Sequence, residues 1–85
     1  MVGIGHGNYV AVNQIVALVS ANSKPIRQMI RNAREQGRLV DATVGKRTRS
    51  VIIMASNQIV ISANAVRTIL QRLNLPAEIV HLSNK

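Results

Sequence analysis

The chain has 85 residues, room for one domain, and a domain this small buries only about 60–65% of the surface its unfolded form exposes. It has no Cys, Trp or Phe and one Tyr, which excludes disulfide staples and thiolate metal sites, fits a reducing compartment and leaves the core to branched aliphatics that favour strands. Net charge is +8, from eleven Lys and Arg against three acids; no apolar run approaches the roughly 20 residues of a membrane span, and no basic region leads into an apolar leader, so a cytoplasmic protein without a membrane partner is expected.

Residues 2–7, VGIGHG, read as a short edge strand running into a turn at Gly7-Asn8. The spacing Gly3-x-Gly5-x-Gly7 is not a dinucleotide fingerprint: no strand precedes it, Asn8 stands where a third glycine belongs, and no acid follows about 20 residues on. His6 has only His81 and three carboxylates to share a metal with, so no metal site is expected. Residues 9–19 split at Asn13-Gln14 into two β-prone pieces, of which the second is almost continuously aliphatic and predicts a strand buried on both faces.

Ser23 followed by Pro25 predicts a helix start with Ser as N-cap and Pro in the first turn. The helix is expected over 24–36, with Gly37 as the left-handed residue that ends it. Ile26, Met29, Ile30 and Ala33 form its core stripe at i, i+3, i+4, i+7. Beside that stripe runs a second one, Arg27, Arg31, Arg34 and Arg38, whose mutual repulsion is scarcely offset by Glu35. An anionic partner would relieve it.

Residues 39–54, LVDATVGKRTRSVIIM, are the stretch around which the chain is organised. They read as a β-hairpin turning at Val44-Gly45-Lys46-Arg47, with Lys46, Arg47 and Arg49 at the tip and a second strand apolar on both faces. Asp41 reads as an ion-pair partner for the neighbouring arginines. Ser56-Asn57-Gln58 predicts a turn and 59–62 a last strand. Asn64 is expected to cap a second helix carrying Val66, Ile69, Leu70 and Leu73, stopped by Asn74 and Pro76. The tail, 76–85, offers Ile79, Val80 and Leu82 for a docking strand; residues 1–75 make up the domain.

Residues 24–49 hold eight basic residues against Glu35 and Asp41, so most of the net charge sits in one third of the chain. Such concentration is an electrostatic footprint for a polyanion. Arginine suits phosphate and guanine, and the lack of Phe and Trp argues against the stacking platforms of single-strand binders, so double-stranded DNA is the expected partner, with Arg27, Arg31 and Arg34 adding general attraction. An RNA-binding module and a self-assembling scaffold for acidic proteins are the alternatives. No Ser-His-Asp set, carboxylate pair or metal cluster is present, so no enzyme, cofactor or small-molecule ligand is expected. Two short helices cannot cover all the aliphatic strand, which points to a homo-oligomer.

The fold class expected is α+β: a single domain with an antiparallel sheet of about four to five short strands and two helices. Over residues 3–73 the sequence resembles the RemA-type extracellular matrix regulatory proteins of bacteria, most specifically in Asp41-Ala42-Thr43-x-Gly45-Lys46-Arg47-Thr48-Arg49-x-Val51-Ile52-Ile53-Met54. The resemblance implies a sequence-tolerant, DNA-binding transcriptional regulator, nucleoid-associated, that activates biofilm-matrix genes and forms a homo-oligomeric ring. It places the family's paired basic residues on Lys46 and Arg47, with Arg49 two places on. Another DNA-contacting arginine of the family falls on Gln14, which can hydrogen-bond but cannot neutralise a phosphate.

Overall fold

The computed structural model describes residues 1–73; the expected tail strand and the helix stop at Asn74 and Pro76 lie outside them. The chain runs through β1 (Val2–Gly5), β2 (Asn8–Val10), a 3-10 turn (Val12–Gln14), β3 (Ile15–Ser20), α1 (Lys24–Glu35), β4 (Leu39–Asp41), β5 (Ser50–Met54), β6 (Ile59–Ser62) and α2 (Val66–Leu73). This is a small α+β domain, as its sequence predicts. None of the described helices is long and apolar enough to cross a membrane.

Three layers build it. A four-stranded sheet in the order β3-β5-β6-β4 forms the middle, and β1 and β2 pair as a separate antiparallel hairpin. On one face Ile52 and Val60 pack with Val2 and Ile4 of the hairpin and Ile69 of α2. On the other, Val51, Ile59 and Ile61 pack against Ala33, Ile26, Met29 and Ile30 of α1, the stripe its spacing predicts. Successive residues of β5 thus enter opposite cores, which is why that strand is aliphatic throughout.

The caps of α1 follow local chemistry. The Ser23 hydroxyl accepts from the Ile26 amide at 3.4 Å. At the other end Gly37 takes φ +72°, and the Arg38 and Gly37 amides donate to the carbonyls of Ala33 and Arg34. That pair of bonds is the Schellman closure, and it needs a left-handed residue at Gly37.

Residues 39–54 do not form the expected hairpin. β4 pairs parallel with β6, and β5 pairs antiparallel with β6 and β3, so β6 is inserted between the two strands that the hairpin reading joined, and the sheet is mixed. The cause is β6 itself: all four of its residues are buried, and a strand covered on both faces must also have its backbone groups paired along both edges. β5 meets it through a tight turn, in which the Asn57 amide donates to Met54 and the Met54 amide to Gln58. β4 takes the remaining edge.

β3 is likewise not buried on both faces. It occupies a sheet edge with β5 as its one partner among the described residues, and Val16 is 67% exposed. Asn64 does not cap α2: its side-chain oxygen accepts from Arg72 at 2.6 Å. Ala65 stands in the cap position instead, its carbonyl accepting from the Ile69 amide.

Candidate nucleic-acid interface

Residues 42–49 leave β4, cross the C-terminal end of β6 and enter β5. The crossing is held from both sides: the Ala42 amide donates to the Ile61 carbonyl at 2.9 Å, the Arg49 amide to Ser62 at 2.8 Å, and the Arg49 carbonyl accepts from Ala21 at 3.3 Å. This is a strap across the sheet end rather than a projecting finger.

The strap turns one residue earlier than expected. The Lys46 amide donates to the Thr43 carbonyl at 3.0 Å, with φ +53° at Val44 and +77° at Gly45, the signs of a type I′ turn. Glycine adopts that backbone freely, whereas valine does so at a cost of order 1–2 kcal/mol. The turn starts here because the Asp41 carboxylate accepts from both the amide and the hydroxyl of Thr43, at 2.8 and 2.6 Å. These bonds, chiefly the hydroxyl one, hold the Asp41 carboxyl below its ordinary pKa, with Arg34 adding a smaller push against slight desolvation. Asp41 therefore acts as an anchor of the turn rather than as an ion-pair partner of the neighbouring arginines.

Lys46, Arg47 and Arg49 are all exposed on the strap. Arg47 stands between two clefts. One, of about 360 Å³, lies against α1 and is lined by Ala21, Asn22, Arg27, Ile30, Arg47 and Thr48. The other, of about 410 Å³, lies toward α2 and includes Ser20, Arg47, Arg49, Ala65 and Arg67 in its wall. A third hollow on α1 is lined by Lys24, Arg27, Gln28 and Arg31. The cations of three separate elements thus form one band: Arg31, Lys24 and Arg27 on α1, Arg47 and Arg49 on the strap, and Arg67 on α2.

The arginines of the α1 stripe have different surroundings. Arg27 and Arg31 belong to the band, while Arg34 lies beside Asp41. Arg38 is structural: its guanidinium donates to the Asn57 carbonyl at 2.7 Å and to the Gln36 side chain at 2.7 Å, tying the end of α1 to the β5–β6 turn. Gln14 is exposed but precedes Ile15, at the opposite end of β3 from Ser20. Six residue steps, roughly 20 Å of extended chain, separate it from Ser20 at the strap end of β3 within one protomer.

Arg67 escaped the sequence reading because it lies outside the charge-dense stretch. A signal was present: α1 begins with Lys24, α2 carries Arg67 in its first turn, and neither helix has an acid there. Cations at helix N-termini oppose the helix dipole, so such a placement on two helices asks for an anion.

The RemA-like family profile, described as extracellular matrix regulatory protein A-like, matches residues 1–73. The extracellular matrix regulatory protein A of Bacillus subtilis is 42% identical over 80 residues, covering 94% of this chain and 90% of that protein. A relative from Bacillus pumilus is 44% identical over 80 residues, with the same shares of the two chains covered. One from Acetivibrio thermocellus is 51% identical over 74 residues, 87% of this chain and 80% of that protein; both are described in general terms as regulatory proteins.

Proposed function

The chain belongs to the RemA-like family, and from that premise we propose that it is a transcriptional regulator that binds double-stranded DNA through the basic band, as a ring-shaped homo-oligomer acting on biofilm-matrix genes. The observation that carries the reading is the position of Arg47, flanked by Arg27 on one side and by Arg49 and Arg67 on the other. Such a band follows a phosphate backbone and needs no base contact to bind, which accounts for tolerance of sequence. The backbone bonds that pin the strap fix the main chain that carries Arg47 and Arg49, so little backbone ordering entropy is lost on binding.

Assembly is supported by the sheet. Among the described residues β3 and β4 are its two open edges, and Val16 and Val40, on those edges, are 67% and 41% exposed. Two unlike edges on one sheet suit head-to-tail contact between copies, the contact type that closes into rings. A ring repeats the basic band in every copy, so weak phosphate contacts add.

The test is a mobility-shift titration of the purified protein on duplex DNA at two salt concentrations, with the mass in solution measured by light scattering. The expected result is an oligomer whose affinity falls steeply with salt. A monomer, or affinity for duplex DNA that salt leaves unchanged, would overturn the reading.

A further inference from the structure

We propose that the cleft between the strap and the start of α2 is a phosphate site, in which Arg67 joins Arg47 and Arg49 around a phosphodiester of the bound duplex. The proposal rests on the DNA-binding reading above and adds to it a residue and a grip that the strap alone does not supply.

Three observations converge. Arg47, Arg49 and Arg67 share one cleft of about 410 Å³, large enough for a phosphate, and their guanidinium groups make no hydrogen bond to another described residue. Arg38 and Arg72 show the contrast: each is hydrogen-bonded to a distant backbone carbonyl and acts within the fold. Three cations on one small wall, unpaired among the described residues, are unfavourable without a counter-charge.

The N-terminal turn of α2 lies in the same wall through Ala65, Val66 and Arg67. Asn64, the side chain expected to accept from the first-turn amides, gives its oxygen to Arg72, and Ala65 has no side chain that can accept. The amides of that turn are therefore left for an outside acceptor, and the dipole favours an anion there.

The third observation is Ser50. It is fully buried, and its hydroxyl has no hydrogen-bond partner among the described residues. Its direct cross-strand neighbours are Ser20 and Ser62, so the three side chains share one face of the sheet. Ser62 uses its hydroxyl to donate to the Ile4 carbonyl and accept from the Asn64 amide, whereas Ser20 lines the cleft. Ser50 is not itself part of the cleft wall, so its hydroxyl marks a polar backing to Ser20 rather than a contact with the phosphate.

The experiment compares the full-length protein with Arg67→Ala, Arg67→Lys and Lys46→Ala in duplex DNA titrations from low to physiological salt. Circular dichroism and light scattering confirm unchanged fold and mass. Arg67→Ala is expected to lower the magnitude of the salt slope by about 0.9 for each protomer in contact with DNA, and Arg67→Lys to restore it. A second arm adds inorganic phosphate without DNA, which should raise the melting temperature of the parent more than that of Arg67→Ala. If the parent binds DNA and Lys46→Ala does not, while Arg67→Ala matches the parent in slope and affinity, the phosphate site is wrong and the DNA-binding reading stands. A parent that fails to bind duplex DNA overturns both. Stabilisation by free phosphate with no change in slope would assign the cleft to a small phosphate compound, against the proposal.

Discussion

The Arg49 amide donates to the Ser62 carbonyl at 2.8 Å, joining the last residue of the basic strap to the last residue of β6. This bond, with the one from Ala42 to Ile61, makes the strap close the end of β6, the most buried strand among the described residues. The cations of the strap therefore rest on a rigid support, although every one of them is exposed.

Lys46→Ala and Arg47→Ala should each weaken duplex DNA binding severely while leaving the melting temperature within about 0.5 kcal/mol-equivalent of the parent, because exposed side chains away from caps and cores contribute little to stability. Arg47→Ala should be the more damaging, since Arg47 borders both clefts. Mobility shifts on variants matched by circular dichroism check this; a tip variant that binds like the parent at physiological salt would remove the strap from the interface.

Arg27 and Arg31 should behave alike and differently from Arg38. Replacing either of the first two by Ala is expected to weaken binding to all DNA sequences equally and to reduce the salt slope by about one unit per lost phosphate contact. Arg38→Ala should leave the slope unchanged and cost about 1.5–3 kcal/mol in thermal or urea unfolding, the range for a hydrogen bond to a charged group. Salt titration and unfolding measured on the same set of variants separate the two roles.

Asp41→Ala should destabilise the protein by about 1–3 kcal/mol, because it leaves the amide and hydroxyl of Thr43, a residue only 3% exposed, without their acceptor. Asp41→Asn keeps an acceptor and should cost less. The pH dependence has a definite sign. The folded-state pKa of Asp41 is lowered, so its stabilising effect is complete above the unfolded-state value near pH 4 and is lost as pH falls below that value through the folded one. Acid unfolding should accordingly be less steep for Asp41→Asn than for the parent.

Val44→Asn should stabilise the fold by about 1 kcal/mol. Val44 holds φ +53° while 66% exposed, so the replacement relieves strain, loses little burial and yields the Asn-Gly pair preferred in type I′ turns. Unfolding in urea measures it. A loss of stability would mean that Val44 is covered in the assembled protein.

Much of this protein is determined by local chemistry and is legible in its sequence. Ser23, Pro25 and Gly37 bound α1 because caps and left-handed residues act within a few positions, and Ile26, Met29, Ile30 and Ala33 mark its buried face because helical spacing alone puts them together. The charge-dense stretch likewise points to the strap. What tertiary structure decided is whatever depends on strand neighbours distant in sequence. Nothing within residues 39–54 shows that β6 will separate β4 from β5; that follows from β6 needing partners on both edges, and the same insertion turns a hairpin tip into a strap. The sheet order also left β3 at an edge with Val16 exposed. Membership of the band was decided in the same way: packing of α2 beside the strap brought Arg67 to Arg47 and Arg49, while capping of the β5–β6 turn drew Arg38 away, although Arg38 belongs to the arginine stripe by spacing and Arg67 stands alone.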